Sequence, residues 1–189
     1  CLEMLDLWGA QVPHGWVTGD DELGRHSRFR GELRARGERY VLGVPCTTTM
    51  RDLEASLPAY QGRGRRPKAP WQSVTEWRTS LHPTTWRRFT VRDGEKGPVG
   101  IAMVKCRVQT RREHKRTGPE EWLVVTRRPL SDDSLLEGKS SSDATDQDAC
   151  YRYRYYLTPT DGAEGELKEP PLPELARVIK AGLCIEASF

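Results

Sequence analysis

Three carboxylates stand in a row at Asp20, Asp21 and Glu22, directly after the pentapeptide Gly15-Trp16-Val17-Thr18-Gly19. That pentapeptide reads as a short buried strand, which puts the acids at its carboxyl end. Open α/β sheets place their ligands at this end of a parallel strand. A further acid, Glu186, lies far along the chain in a segment of helical spacing. Carboxylates that converge from distant segments suit a hard divalent cation, because Mg²⁺ takes oxygen ligands and combines one or two protein carboxylates with phosphate oxygens and water. Two such ions can activate an attacking oxygen and stabilise a leaving one in phosphoryl transfer. Spacing alone leaves a plainer reading open for Glu186, since many helices carry a Glu at the margin of an apolar face.

The elements that must position these acids can be read in order. Leu2, Met4, Leu5 and Trp8 share one helical face, and Pro13 closes that segment. After the first strand, Ser27 is placed to cap a helix in which Phe29, Leu33 and Arg36 repeat at helical spacing, with Gly37 as its terminator. Arg39–Val44 follows as a second apolar strand stopped by Pro45. Strand, helix and strand in so short a span make a βαβ unit with parallel strands. Cys46 to about Pro70 reads as irregular, and a helix with Val74, Trp77 and Leu81 on one face follows. Val99–Val108 alternates, with Ala102, Val104, Cys106 and Val108 on one side and Lys105 and Arg107 on the other. Trp122–Thr126 is another short strand, and Tyr151–Tyr155 alternates aromatic with Arg. A polar loop, expected to be disordered, spans 131–148. The tail from Leu172 to Phe189 is a helix whose apolar face holds Leu175, Val178, Ile179, Gly182, Ile185 and Phe189, with Glu186 at its margin.

The chain has 189 residues with a net charge of +3, but residues 61–128 hold 17 basic against 6 acidic side chains, a net of +11. The rest carries 13 against 21, a net of −8. Of the 30 basic residues 23 are Arg, whose planar fork of donors matches phosphate. Nucleic acid is the partner this suggests, with a solvated charged face or an Arg-rich genome as the alternatives. Arg63, Arg65, Arg66, Arg111, Arg112 and Lys115 are the candidate DNA contacts. No apolar run approaches the roughly 18 residues of a membrane span. The five cysteines and four histidines form no zinc or disulfide spacing, which argues against a zinc enzyme or a Cys/His nucleophile.

The stretches LDLWG (5–9), VPHGWVTGDDELGR (12–25), FRGELRARGERYVLGVP (29–45) and PELARVIKAGLCIEASF (173–189) resemble the catalytic domain of insertion-sequence transposases of the DDE class. The resemblance is closest over residues 1–58 and 118–186. It implies a ribonuclease-H-like α/β fold with an antiparallel β-rich insertion. The resulting division is a partial core over 1–45, the basic β-rich insertion over 46–170 and a returning core helix over 171–189. In that family three acids hold Mg²⁺ or Mn²⁺; the second matches Asp20, with Asp21 as its register alternative or neighbour, and the third matches Glu186. The first acid is expected on a strand preceding Leu2, so the chain reads as a piece of a longer protein, inactive by itself. Asp6 is no substitute, because it lies in a helical pattern. Relatives usually carry an Arg and then a ring-bearing residue where this chain has Gly182 and Leu183, and a signature Lys falls beyond Phe189.

The function implied is metal-dependent DNA strand cleavage and strand transfer in transposition, with transposon ends and target DNA as partners. The resemblance also allows a homodimer of the full-length parent, a bacterial cytoplasmic location on the nucleoid, and no membrane partner. The alternatives are a non-catalytic DNA-binding remnant acting through the basic insertion, and an unrelated α+β binding protein. Geometry separates them: a shared two-metal site needs Asp20 and Glu186 within roughly 10 Å.

Overall fold

A computed structural model of the chain describes residues 2–9, 11–12, 14–94, 97–111, 116–129, 151–160 and 170–186. The expected 131–148 loop lies outside the described residues. Helix α1 covers Leu2–Trp8, strand β1 Val17–Gly19, helix α2 Asp21–Gly24, helix α3 Ser27–Ala35 and strand β2 Tyr40–Val44. Strands β3 (Thr49–Asp52) and β4 (Gln72–Ser73) lead into helix α4 (Val74–Thr79) and a 3-10 turn at Pro83–Thr85. Strands β5 (Arg87–Gly94), β6 (Gly97–Arg111), β7 (Thr117–Pro129) and β8 (Tyr151–Pro159) precede helix α5 (Leu172–Glu186).

The expected βαβ unit is present. β1 pairs parallel with β2, Val17 opposite Tyr40, and Gly37 at φ 72° ends the intervening helix. Every other pairing is antiparallel. All eight strands join one sheet in the order β1-β2-β8-β7-β6-β3-β4, with β5 on the first half of β6. The strands of the basic 46–170 segment therefore continue the same sheet as the βαβ unit, through β8 on β2.

Helices cover both faces. On one, α4 contributes Val74 and Trp77 to a core with Val104, Cys106, Val108, Leu123 and Val125. Farther along the same face, Leu33 of α3 packs on Tyr40 and Leu42, with Leu2 and Leu5 of α1 alongside. On the other, Leu175, Ala176 and Ile179 of α5 pack on Val41, Ile101, Met103, Val124 and Tyr156. This mixed α/β layering is compatible with a ribonuclease-H-like fold.

Four local expectations are corrected. Cys46–Pro70 holds a strand, β3, in which Met50 alone is buried, and its partner is the distant Val108–Thr110 of β6. The N-cap of α3 is His26, not Ser27, which sits buried in the first turn. A one-turn helix follows Asp20 directly. Finally, the face of β6 that carries Lys105 and Arg107 is polar only over that part: Ile101 and Met103 of the same face lie buried under α5.

Candidate active site

Asp20 directly follows β1 and caps α2. Its backbone is extended (φ −78°, ψ −172°), and its Oδ1 accepts the Leu23 N–H at 3.3 Å, the usual work of an N-cap carboxylate. Asp21 and Glu22 occupy the first turn, where negative charge suits the exposed N–H groups. Glu22 is tied to Arg25 at 2.8 Å, whereas among the described residues the Asp20 and Asp21 carboxylates have no basic partner. Both are exposed.

Two glycines press this acid-bearing turn onto the sheet. A Cβ on Gly24 would stand 1.7 Å from the Gly43 carbonyl oxygen, and one on Gly43 would stand 3.1 Å from the Asp20 carbonyl carbon and the Asp21 nitrogen. Backbone so close excludes any side chain. The result is a cleft of about 390 Å³, bounded by Asp20, Asp21, Gly43 and Cys46 on one side and Tyr153, Arg154 and Tyr155 of β8 on the other. β8 reaches this position because Val44 pairs with Tyr155 and Gly43 with Tyr156.

Helix α5 runs alongside β1 in the same direction. Near its start Glu174 accepts from Trp16 Nε1 at 3.1 Å and from Arg39 Nη2 at 2.9 Å. Two turns later a Cβ on Gly182 would meet Thr18 at 3.5 Å. Glu186 is the last residue of α5, one turn beyond Gly182, as Asp20 lies just beyond Thr18 on β1.

An Arg–aromatic band adjoins the cleft. Arg78 stacks over Tyr153 at 3.8 Å, and Arg127 lies over Trp86 at 4.4 Å and Tyr151 at 4.9 Å. Trp86 and Tyr151 flank Tyr153 at ring separations of 5.9 and 6.3 Å. Sequence alternation showed the aromatic face of β8, but not that it borders the acids. Of the expected DNA contacts, Arg63, Arg65 and Arg66 are exposed on a turn with Gly62 and Gly64 at positive φ. Arg66 lies over Tyr60 at 5.5 Å, and Arg111 shares Trp71 with Arg51 at 4.8 and 4.4 Å. Arg112 and Lys115 lie outside the described residues.

A buried polar cluster behind the acids escaped the sequence reading. Glu121 accepts from Arg30 Nε (2.9 Å) and Nη2 (3.3 Å), from the Tyr40 hydroxyl (2.6 Å) and from Thr110 Oγ1 (3.1 Å). Burial, followed by the Glu121 charge, pushes the Tyr40 phenol far above its usual range. The only signal for this cluster was an Arg three residues before Leu33 on the buried face of α3. Two other groups are accounted for structurally. Asp6 is held by Arg36 at 2.7 and 3.0 Å, which lowers its pKa. The Cys106 thiol is pushed up by burial and donates to Asp52.

The model for the DDE superfamily endonuclease family matches residues 1–98, just over half of the chain. The chain belongs to this family. No curated protein matches it. Membership brings nuclease-type chemistry, DNA as the substrate class and a general use of divalent metal ions. The matched span takes in β1, Asp20, α2, β2 and their packing, and stops before β7, β8 and α5. Among the described residues no three His, Cys, Asp or Glu side chains cluster as a metal site.

Proposed function

We propose that the parent protein is a transposase that cleaves DNA strands and joins the freed 3′ ends to target DNA, with Asp20 and Glu186 as metal ligands and Asp21 as a neighbour of Asp20. The observation that carries this reading is the exposed pair Asp20 and Asp21, which has no basic partner among the described residues and lies at the carboxyl end of a parallel strand inside a cleft. Two oxygen donors without a counter-ion fit Mg²⁺ or Mn²⁺, which binds through one or two carboxylates plus phosphate and water. The direction of α5 along β1 supports Glu186 as the partner acid. The resemblance calls for a first acid on a central strand, a place that Asp6, on helix α1, does not take. The 189-residue chain is accordingly expected to bind DNA and metal without cutting.

The chain's own residues divide the work. Asp20 and Asp21 present oxygens into the cleft, and the Gly24–Gly43 contact keeps their turn against the sheet. Such a metal, when bound, would activate the attacking oxygen and neutralise charge on the leaving one. Arg127 and Arg78, stacked on aromatic rings, are placed to hold the phosphate backbone beside the acids. The test is a Mn²⁺ titration followed by electron paramagnetic resonance on wild type and Asp20→Asn, beside DNA binding over a salt series. Loss of Mn²⁺ binding in Asp20→Asn, with DNA affinity retained and falling steeply with salt, supports the reading. Mn²⁺ binding that ignores Asp20, with DNA binding intact, would favour the non-catalytic DNA-binding remnant.

A further inference from the structure

Arg30 is 4 % exposed and Glu121 fully buried, yet neither touches the cleft. Taking two charges out of water is costly, so a cluster of this kind asks for a role beyond stability. The three nitrogens of the Arg30 fork divide between two tasks. Nε and Nη2 bind the two Glu121 oxygens, Nη2 also reaches Thr110 Oγ1 at 3.0 Å, and Nη1 donates to the Gly24 carbonyl oxygen. Gly24 is the last residue of α2, whose opposite end is capped by Asp20, and the Gly24 N–H itself donates to the Asp20 carbonyl at 3.0 Å.

We propose that Arg30 is a positioning residue for the metal-binding acids: anchored by Glu121 of β7, it grips the carbonyl end of α2 and so fixes the direction in which Asp20 and Asp21 point. The proposal rests on the reading of Asp20 as a metal ligand. α2 has only four residues, too few to hold its shape unaided, and besides Arg30 the glycine contact with β2 holds it to the sheet. Glu121 is in turn fixed by the Tyr40 hydroxyl of β2, so the grip joins β2 to β7 and transmits the rigidity of the sheet to the turn. Only a guanidinium can serve both Glu121 and Gly24, because a lysine ammonium on its flexible stem lacks the fork.

The experiment compares Arg30→Lys with Thr110→Val in the full 189-residue chain. Thr110→Val removes the hydroxyl from the same cluster but leaves the Gly24 contact. Two quantities are measured: amide exchange at Gly24 and Arg25, whose N–H groups bond within the acid turn, and Mn²⁺ affinity by electron paramagnetic resonance. Arg30→Lys is expected to speed exchange at these amides about tenfold and to weaken Mn²⁺ roughly 10-fold or more, as loss of a ligand's supporting contact does. Thr110→Val is expected to lower the melting temperature while moving neither quantity beyond about twofold. Equal effects of the two variants on exchange, or none from Arg30→Lys, would overturn the proposal. If wild type shows no Asp20-dependent Mn²⁺ binding, the metal reading fails by itself, and the exchange comparison still decides whether Arg30 holds the turn.

Discussion

Replacing Glu121 with Leu would remove the one acceptor shared by Arg30, Tyr40 and Thr110. Glu121 is fully buried and the Arg30 side chain is 5 % exposed, so solvent cannot replace the lost partner. The guanidinium would keep only Gly24 and Thr110 oxygens, and the Tyr40 hydroxyl would lose its acceptor at 2.6 Å. Breaking a buried pair from one side costs about 3–5 kcal/mol, because an uncompensated charge is left inside. In a domain of this size each kcal/mol moves the melting temperature by roughly 2–4 °C, so a fall of roughly 6–20 °C is expected. Urea denaturation followed by tryptophan fluorescence measures the free energy, with Arg30→Met and the double variant completing a cycle. The double variant is expected to lose much less than the sum of the singles, since it buries no lone charge. A Glu121→Leu cost below about 1 kcal/mol, or strict additivity in the cycle, would refute the claim that solvent cannot replace Glu121 as the partner of Arg30.

Other consequences follow from single contacts. Gly24→Ala would drive a Cβ to 1.7 Å from a backbone oxygen and is expected to destabilise by about 1–3 kcal/mol, more than Gly43→Ala with its 3.1 Å approach; urea midpoints rank the two. The His14 pKa is raised by hydrogen bonds to the Val12 carbonyl and then to Glu38. Its contribution is therefore full below the ordinary histidine value of about 6.5 and is lost as pH rises through the higher folded value. Unfolding curves between pH 6 and 8 should show stability declining in wild type and a flatter profile in His14→Gln; a wild type that gains stability over this window would contradict the assignment.

What could be read from the residues depended on whether local pattern or distant partners decided the structure. The βαβ unit was legible because Val41, Leu42 and Val44 form an apolar run and Gly37 supplies the positive φ that ends α3. The amphipathic spacing of α5 likewise gave its buried face, Leu175 and Ile179, correctly. β3 was not legible, since Thr49–Asp52 carries one buried residue and owes its pairing to β6, more than fifty residues away. α1 was read from Leu2, Met4, Leu5 and Trp8, yet Met4 is 66 % and Trp8 56 % exposed, so only Leu2 and Leu5 of that face reach the core. For the site, Asp20 and Asp21 stood out by their position after a strand. The neighbours that shape their cleft did not, because Gly43 meets them through the packing of the acid turn on β2, and Tyr153 and Tyr155 through the β2–β8 register. Arg30 and Glu121 are 91 residues apart, and no periodicity links two charges that pair in the interior.

The central claim is that Asp20 and Glu186 share a divalent metal. Crystals of the chain soaked in Mn²⁺ test it through the anomalous difference map. The account predicts a peak within about 2.5 Å of a carboxylate oxygen of each acid, with the peak absent in Asp20→Asn. A peak elsewhere, or the two carboxylates standing more than roughly 10 Å apart, would contradict it.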